Sequence, residues 1–380
     1  MRQFNLSIPT KIYFGKDILN IALMKEKKLF AGKVMIVIGK QSMRRLGFLN
    51  KLLALLKKID TVNEIFVYEG ISSNPKAIEV NTGAKYGIEN KVDIVIGLGG
   101  GSVIDATKAI AIGIGTRDDI EQYMFCGKNP PKETLPIIAI PTTAGTGSEL
   151  SKGAIITSIK KNVKTGVRSD NIYPRVAIVD PMFTIQLSEK ITKETGFDVL
   201  AHAIESYISK QANTFTELLS VEAIKIVVKN LPMIIENGDN IEAREQMSYA
   251  SMMMGINLGN SSTCLPHRLQ YPVGAITDTG HSIGLASLYK AWFRFGYNYS
   301  KEKFNYIGEL LSDKSCNSKE TALKSLDGFM NKIMLNGNLS ELGINESNFE
   351  LICNSVTGNI ANDPASGHEG IVRKIYEASL

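Results

Sequence analysis

Ile94-Val95-Ile96-Gly97-Leu98-Gly99-Gly100-Gly101-Ser102-Val103 is the stretch that decides the fold. Its first five residues form a short apolar run, the mark of a buried strand. Gly99, Gly100 and Gly101 then turn the backbone sharply, and Val103–Ala111 has the pattern of a helix. Glycine permits close approach of a ligand to the main chain. Unpaired N–H groups at a helix start attract phosphate by hydrogen bonding and through the helix dipole. A nucleotide pyrophosphate suits such a turn; an ordinary tight strand–helix connection is the plain alternative.

Working outward, similar Val/Ile-rich runs occur at 34–38, 65–68, 137–140 and 176–179, with helical patterns between them at 46–58 and 77–86. This alternation predicts a parallel sheet with helices on both faces. A second open loop, Pro141-Thr142-Thr143-Ala144-Gly145-Thr146-Gly147-Ser148-Glu149, also follows an apolar run. Its hydroxyls and glycines suit a phosphate or the polar part of a nicotinamide, or simply cap a helix. Open α/β sheets bind ligands at the C-terminal ends of their strands, where both loops are expected. After Asp180 strand-like runs become scarce. Segments 187–210, 216–230, 242–258, 301–311 and 320–334 carry helical periodicity. Pro174 and Pro181 flank the change, which places a boundary between an α/β domain, 1–181, and an all-helical domain, 182–380.

A chain of 380 residues is long enough for two cores. Charged residues are 21% of it and the net charge is +5, spread along the sequence, so no nucleic-acid footprint stands out. The basic runs 25–28 and 160–164 read as solvated faces. Cys126, Cys264, Cys316 and Cys353 form no Cys-x-x-Cys pair and suggest no disulfide framework. Met1-Arg2-Gln3-Phe4-Asn5 lacks the apolar core of a signal peptide, and no apolar run approaches a membrane span. A cytoplasmic location is the expectation.

The chain has four histidines. Asp198 and His202 stand at i and i+4 of a helical pattern, on one face, where they suit two ligands of one metal ion or a local hydrogen-bonded pair. His267 and His281 lie in a segment marked by Pro266, Pro272 and Gly280, where each alone reads as a polar loop residue. One carboxylate with three imidazoles suits a first-row divalent ion. Glu205, one turn beyond His202, is expected to support the site rather than to ligate. His368 reads as a surface loop residue.

Together these motifs resemble the iron-containing (group III) alcohol dehydrogenase family over essentially the whole chain. The residues that carry the resemblance are Gly99-Gly100-Gly101-Ser102-x-x-Asp105-x-x-Lys108, the loop 141–149, Val176-Ala177-Ile178-Val179-Asp180-Pro181, Gly196-x-Asp198-x-x-x-His202-Ala203-Ile204-Glu205, and the spacing of His267 and His281. The resemblance implies the fold shared with dehydroquinate synthase: a Rossmann-like N-terminal domain, an all-α C-terminal domain and a cleft between them. It implies that Asp198, His202, His267 and His281 hold Fe²⁺, or Zn²⁺ as in some members. It further implies cofactor contacts from Gly99, Gly100, Gly101, Ser102, Asp105, Thr142, Thr143, Thr146 and Lys164. The implied reaction is hydride transfer between nicotinamide C4 and a small aldehyde or ketone, in at least a dimer. A dehydroquinate-synthase-like lyase is the alternative, against which the 141–149 loop and the His267/His281 segment point to the dehydrogenase branch. A non-catalytic binding protein is a further alternative.

Three positions depart from the family or refine it. Many members carry a second histidine four residues after the ligand at His267; here Tyr271 stands there, a poorer base at neutral pH, so His267 and Tyr271 are the expected catalytic pair with the proton route in doubt. Arg268 is unusual beside His267. It either favours an anionic substrate or makes a surface or inter-helix salt bridge. Gly39 occupies a place where NAD-preferring members tend to have Asp, and Lys40, Ser42, Arg44 and Arg45 follow. With no carboxylate to repel a 2′-phosphate, NADP is expected over NAD, with Gly39 and Ser42 at the ribose; a basic helix start facing solvent is the alternative.

Overall fold

The computed structural model describes residues 3–125 and 134–380; Cys126 and the first two residues lie outside them. Its strands are β1 (Lys11–Phe14), β2 (Gly32–Gly39), β3 (Val62–Ile71), β4 (Ile94–Gly99), β5 (Ile137–Pro141), β6 (Gly153–Ser158), β7 (Val163–Arg168) and β8 (Val176–Val179). Six of them form one sheet in the order β1-β8-β5-β4-β2-β3, with every pairing parallel. Strands β6 and β7 form a separate antiparallel hairpin.

The unbroken apolar runs have a direct cause. Val34, Ile36 and Ile38 enter one core while Met35 and Val37 enter another on the opposite face. A strand covered on both faces has no polar side to show. The chain leaves β2 for β3 on one flank and returns to β4 on the other, so the direction of winding reverses between β2 and β4. Gly39 and Gly99 end these two strands, at the place where such sheets open a crevice. The helix Gly101–Thr116 lies tightly against β4. A Cβ on Gly99 would fall 2.7 Å from Val103 Cβ, and one on Gly97 would fall 2.7 Å from Thr107 Oγ1.

From Leu187 onward the structure is helical, with long helices at Glu189–Ile208, Thr214–Glu236, Ile241–Asn260, Leu265–Thr277, His281–Gly296, Lys301–Ser312 and Lys319–Lys332. Trp292, Tyr289, Phe293 and Phe304 centre their core. Several helix starts carry the expected caps. Ser188 Oγ accepts from Ile191 N, and Asn213 Oδ1 accepts from Phe215 N and Thr216 N. The chain resolves into two compact units. One holds Ile8–Thr143 and Gly147–Gln186; the other holds the N-terminal residues up to Ser7, Ala144–Thr146 and Leu187–Leu380.

Three expectations need correction. β1 and the β6–β7 hairpin have no counterpart among the runs read from sequence. The basic run 160–164 is a solvated face only in part: Lys160 and Lys161 are exposed at the hairpin turn, but Lys164 is buried. The segment holding His267 and His281 is not loop. Pro266 sits in the first turn of Leu265–Thr277, where its missing N–H costs nothing, and the helix continues through Pro272. Among the described residues no helix is long and apolar enough to cross a membrane.

Candidate metal centre and dinucleotide loops

The helical unit brings the four predicted ligand residues together. Asp198, only 1% exposed, points Oδ1 at three imidazoles. His202 Nδ1 is 3.8 Å away, His267 Nε2 3.5 Å and His281 Nε2 3.6 Å. The ligand atoms of Asp198, His267 and His281 all lie within 4.8 Å of one another. His202 stands beside this group, its ring stacked on that of His267 at 4.4 Å.

These separations are too long for good hydrogen bonds. They suit atoms that share a cation, since tetrahedral ligands about 2.1 Å from a metal lie roughly 3.4 Å apart. Asp198 Oδ1, His202 Nδ1 and His267 Nε2 are all buried without a hydrogen-bond partner in the protein. A buried unpaired polar atom is costly, and Asp198 Oδ1 and His267 Nε2, both in the cluster with His281, call for a shared partner. The donor set therefore fits a divalent metal.

The surrounding side chains fix how the rings present themselves. His267 Nδ1 meets Glu205 Oε1 at 2.7 Å. A carboxylate accepts, so Nδ1 carries the proton and Nε2 turns its lone pair inward. Glu205 has the supporting place expected of it, and its other oxygen accepts from Cys264 N at 2.8 Å. His281 Nδ1 meets Gln270 Oε1 at 2.6 Å. In the sequence Gln270 carries no signal beyond its place three residues after His267.

The electrostatics follow from this enclosure. Burial opposes charge on Asp198, but His202, His281 and His267 outweigh it and hold the carboxyl well below its ordinary range. Burial brings His202 down to about 4, which keeps it neutral. Burial also opposes charge on His267, yet Glu205 and Asp198 on either side push it up to about 10. The pocket thus strongly favours positive charge between Asp198 and His267, which a metal ion supplies.

Tyr271 and Arg268 lie on the same helix as His267. Arg268 is 2% exposed and makes no ion pair among the described residues. Its Nη1 donates to the Tyr271 hydroxyl at 2.8 Å, Nε to Asn359 O at 3.4 Å and Nη2 to Ser262 Oγ at 3.4 Å. The expected salt bridge is therefore not what holds it; only neutral oxygens do. His368 is exposed and stacks on Tyr299.

In the α/β unit, the two glycine-bearing loops leave adjacent strands. Gly99 pairs with Pro141 across β4 and β5, and Thr142 N donates to Gly99 O at 3.0 Å. Thr143 lies against Gly100, whose Cβ, if it had one, would be 3.3 Å from the Thr143 hydroxyl. Gly100 caps the helix that begins at Gly101, with no side chain on its N–H groups. Ser102 Oγ donates to Ser73 O. Asp105 accepts from Ser148 Oγ and from Ile155 N, so it anchors the second loop. Lys108, fully buried, donates to Ser148 O, Ser148 Oγ, Ser151 Oγ and Gly153 O. Lys164 donates to Asn74 Oδ1 at 2.8 Å. Ser42 opens a short exposed helix, Lys40 and Arg45 are exposed, and Arg44 pairs with Glu69 at 2.7 Å. Thr146 is half-buried and belongs with the helical unit.

Comparison with known proteins gives the family. Residues 9–181 match the iron-containing alcohol dehydrogenase family, and residues 192–380 match the C-terminal domain of the Fe-containing alcohol dehydrogenase family. The chain belongs to the iron-containing alcohol dehydrogenase family. It is 31% identical to the NADH-dependent butanol dehydrogenase A of Clostridium acetobutylicum, over 94% of each chain. It is also 31% identical to the NADPH-dependent butanol dehydrogenase of Clostridium saccharobutylicum, over 98% of this chain and 96% of the relative. An archaeal alcohol dehydrogenase from a Red Sea brine pool superposes with a TM-score of 0.93 at 29% identity, over the full length of both. The protein is accordingly an oxidoreductase acting on CH–OH groups, using a nicotinamide dinucleotide and a metal on an alcohol or aldehyde. The lyase alternative has no support among these relatives.

Proposed function

We propose that the protein is an Fe²⁺-dependent, NADP-preferring reductase of small aldehydes, with Asp198, His202, His267 and His281 holding the metal. The convergence of the Asp198, His267 and His281 ligand atoms, with Asp198 Oδ1 and His267 Nε2 buried and unpartnered, carries this reading. When bound, the metal polarises the carbonyl oxygen as a Lewis acid and the nicotinamide supplies or accepts the hydride. The chain's own residues do the rest. Glu205 and Gln270 hold the His267 and His281 rings in the ligating tautomer. The N–H groups from Gly99 to Ser102 receive the pyrophosphate, with Thr142 and Thr143 beside them. Tyr271 accepts from Arg268, which leaves its own hydroxyl proton free to pass to or from the substrate oxygen.

Two finer choices belong to the same proposal. Gly39 offers no carboxylate against a 2′-phosphate, and Lys40 and Arg45 stay exposed nearby, which favours NADP; the Arg44–Glu69 pair works against it by removing one positive charge. A buried guanidinium with only neutral partners favours an aldehyde bearing an anionic group. The experiment is absorbance at 340 nm with anaerobic, Fe²⁺-loaded protein, NADPH and NADH in parallel, and neutral and anionic short aldehydes. Metal- and aldehyde-dependent loss of NADPH is expected, faster with the anionic substrates. Loss of NADH alone overturns the cofactor choice, equal rates overturn the anionic preference, and turnover without metal overturns the site.

A further inference from the structure

We propose that Asn362–Asp363 is a positioning element for the metal centre, a clamp on the three helices that carry its ligands. This rests on the metal reading above. Lys210 N, just past the end of the Glu189–Ile208 helix, donates to Asn362 O at 2.8 Å; that helix carries Asp198, His202 and Glu205. Leu265 N, the first residue of the His267 helix, donates to Asp363 Oδ2 at 3.1 Å. Trp292 Nε1, on the helix that begins with His281, donates to the same oxygen at 2.8 Å. Asp363 Oδ1 is held in turn by Ala365 N at 2.8 Å. One carboxylate oxygen thus joins two ligand-bearing helices, and the preceding carbonyl secures the third.

The start of the His267 helix explains why a distant carboxylate is needed. Its N-cap is Cys264, which makes no side-chain capping bond. The first N–H groups of a helix must find partners elsewhere. Cys264 N finds Glu205, and Leu265 N finds Asp363, 98 residues away in sequence. Glu205 also holds the His267 ring. The two carboxylates therefore fix both where this helix begins and how its ligand is turned. Asp363 is 1% exposed and makes no ion pair among the described residues. A buried carboxylate surrounded by neutral donors adds little net stability compared with apolar packing. Its distinctive contribution is geometric, and a metal site is sensitive to small shifts of its ligands.

The test uses full-length, metal-stripped protein titrated with Co²⁺ and Zn²⁺, comparing wild type, Asp363→Asn and Trp292→Phe. Asp363→Asn places an amide N–H against donors, and Trp292→Phe removes the bond to the His281 helix together with part of the core packing around Trp292. Dissociation constants and the visible Co²⁺ spectrum are read at a temperature where far-UV circular dichroism shows each variant folded. Asp363→Asn is expected to weaken metal binding by about tenfold or more and to shift the Co²⁺ bands. Trp292→Phe is expected to do so less, and dinucleotide binding is expected to stay at the wild-type level in both. If Asp363→Asn does not fold, Trp292→Phe alone decides. Folded variants with wild-type affinity and an unchanged Co²⁺ spectrum overturn the clamp. A wild-type protein that fails to bind Co²⁺ one-to-one overturns the metal centre itself, before any variant is compared.

Discussion

Glu149, the last residue of the second loop, and Lys108, bonded to Ser148 beside it, are both buried, and burial moves each in the direction of neutrality. It pushes Glu149 from an ordinary 4.5 up to about 7 and brings Lys108 from 10.5 down to about 8. The folded protein therefore keeps the Glu149 proton at pH values where the unfolded chain has lost it. Stability contributed by the protonated form is fully present below pH 4.5 and is lost as pH rises to about 7, a change of about 3 kcal/mol at most. Lys108 acts in another window, its cost receding as pH rises from about 8 to 10.5. Glu149→Gln keeps the shape and removes the titration. Between pH 4.5 and 7.5 the variant is expected to gain stability relative to wild type, by urea unfolding; a difference that stays flat with pH contradicts this. At the same scale, the sequence exposed some site residues and hid others. Helical spacing puts Asp198 and His202 on one face, and His267 and His281 are two of only four histidines, but the family resemblance is what joins the four as one candidate set. Gln270 and Asp363 have no local signature, because their roles arise from contacts 11 and 98 residues distant. Arg268 stands out in the sequence, but its burial against neutral oxygens depends on Ser262 and Asn359, which no spacing rule connects to it.

At the scale of elements, the junction of β4 with the Gly101–Thr116 helix makes a sharp demand. The atom that a Cβ on Gly99 would meet is Val103 Cβ, close to the backbone and unable to swing away. Gly99→Ala must therefore push the helix start off the strand, at a cost of about 1–3 kcal/mol. The same displacement carries the Gly100–Ser102 N–H groups away from a pyrophosphate. A lower melting temperature and weaker NADPH binding by fluorescence titration are expected, with metal binding unchanged because all four proposed ligands lie in the other unit. Equal loss of both ligands contradicts this. The element was legible because its apolar run and glycine turn are local features. Five of the six sheet strands are legible for the same reason: β2, β4, β5 and β8 are apolar runs buried almost throughout, and β3, at the sheet edge, is half-buried yet still carries the run 65–68. β1 is four residues long and largely half-buried or exposed, and β6–β7 mixes Gly, Thr and Lys, so neither has a run to read. The helices of His267 and His281 were obscured by Pro266 and Pro272, of which the first sits where a helix tolerates it and the second is accepted inside the helix.

For the whole molecule, the assignment of the proposed metal ligands to one unit and the proposed dinucleotide residues to the other has a measurable thermodynamic consequence. Asp198, His202, His267, His281 and the groups that hold them belong to the helical unit, whereas Gly99–Ser102, Asp105, Thr142 and Thr143 belong to the α/β unit. A ligand that binds only folded protein stabilises it by about 4 kcal/mol at a thousandfold excess over its dissociation constant. Local opening is suppressed first where the ligand's contacts are. Removing metal with a chelator is thus expected to lower the melting temperature, and Zn²⁺ to restore it. Hydrogen exchange locates the effect. Zn²⁺ is expected to slow exchange in Glu189–Ile208, Leu265–Thr277 and His281–Gly296, the three helices that bear ligands. NADPH without metal is expected to slow exchange in the first turn of Gly101–Thr116 and around Thr142–Thr143. Metal protection confined to β4 and its following helix, with none in the three ligand helices, would place the ion elsewhere and remove the site. Protection in the Leu265–Thr277 and His281–Gly296 helices without the Glu189–Ile208 helix would remove Asp198 and His202 from the ligand set while leaving the two later histidines in it.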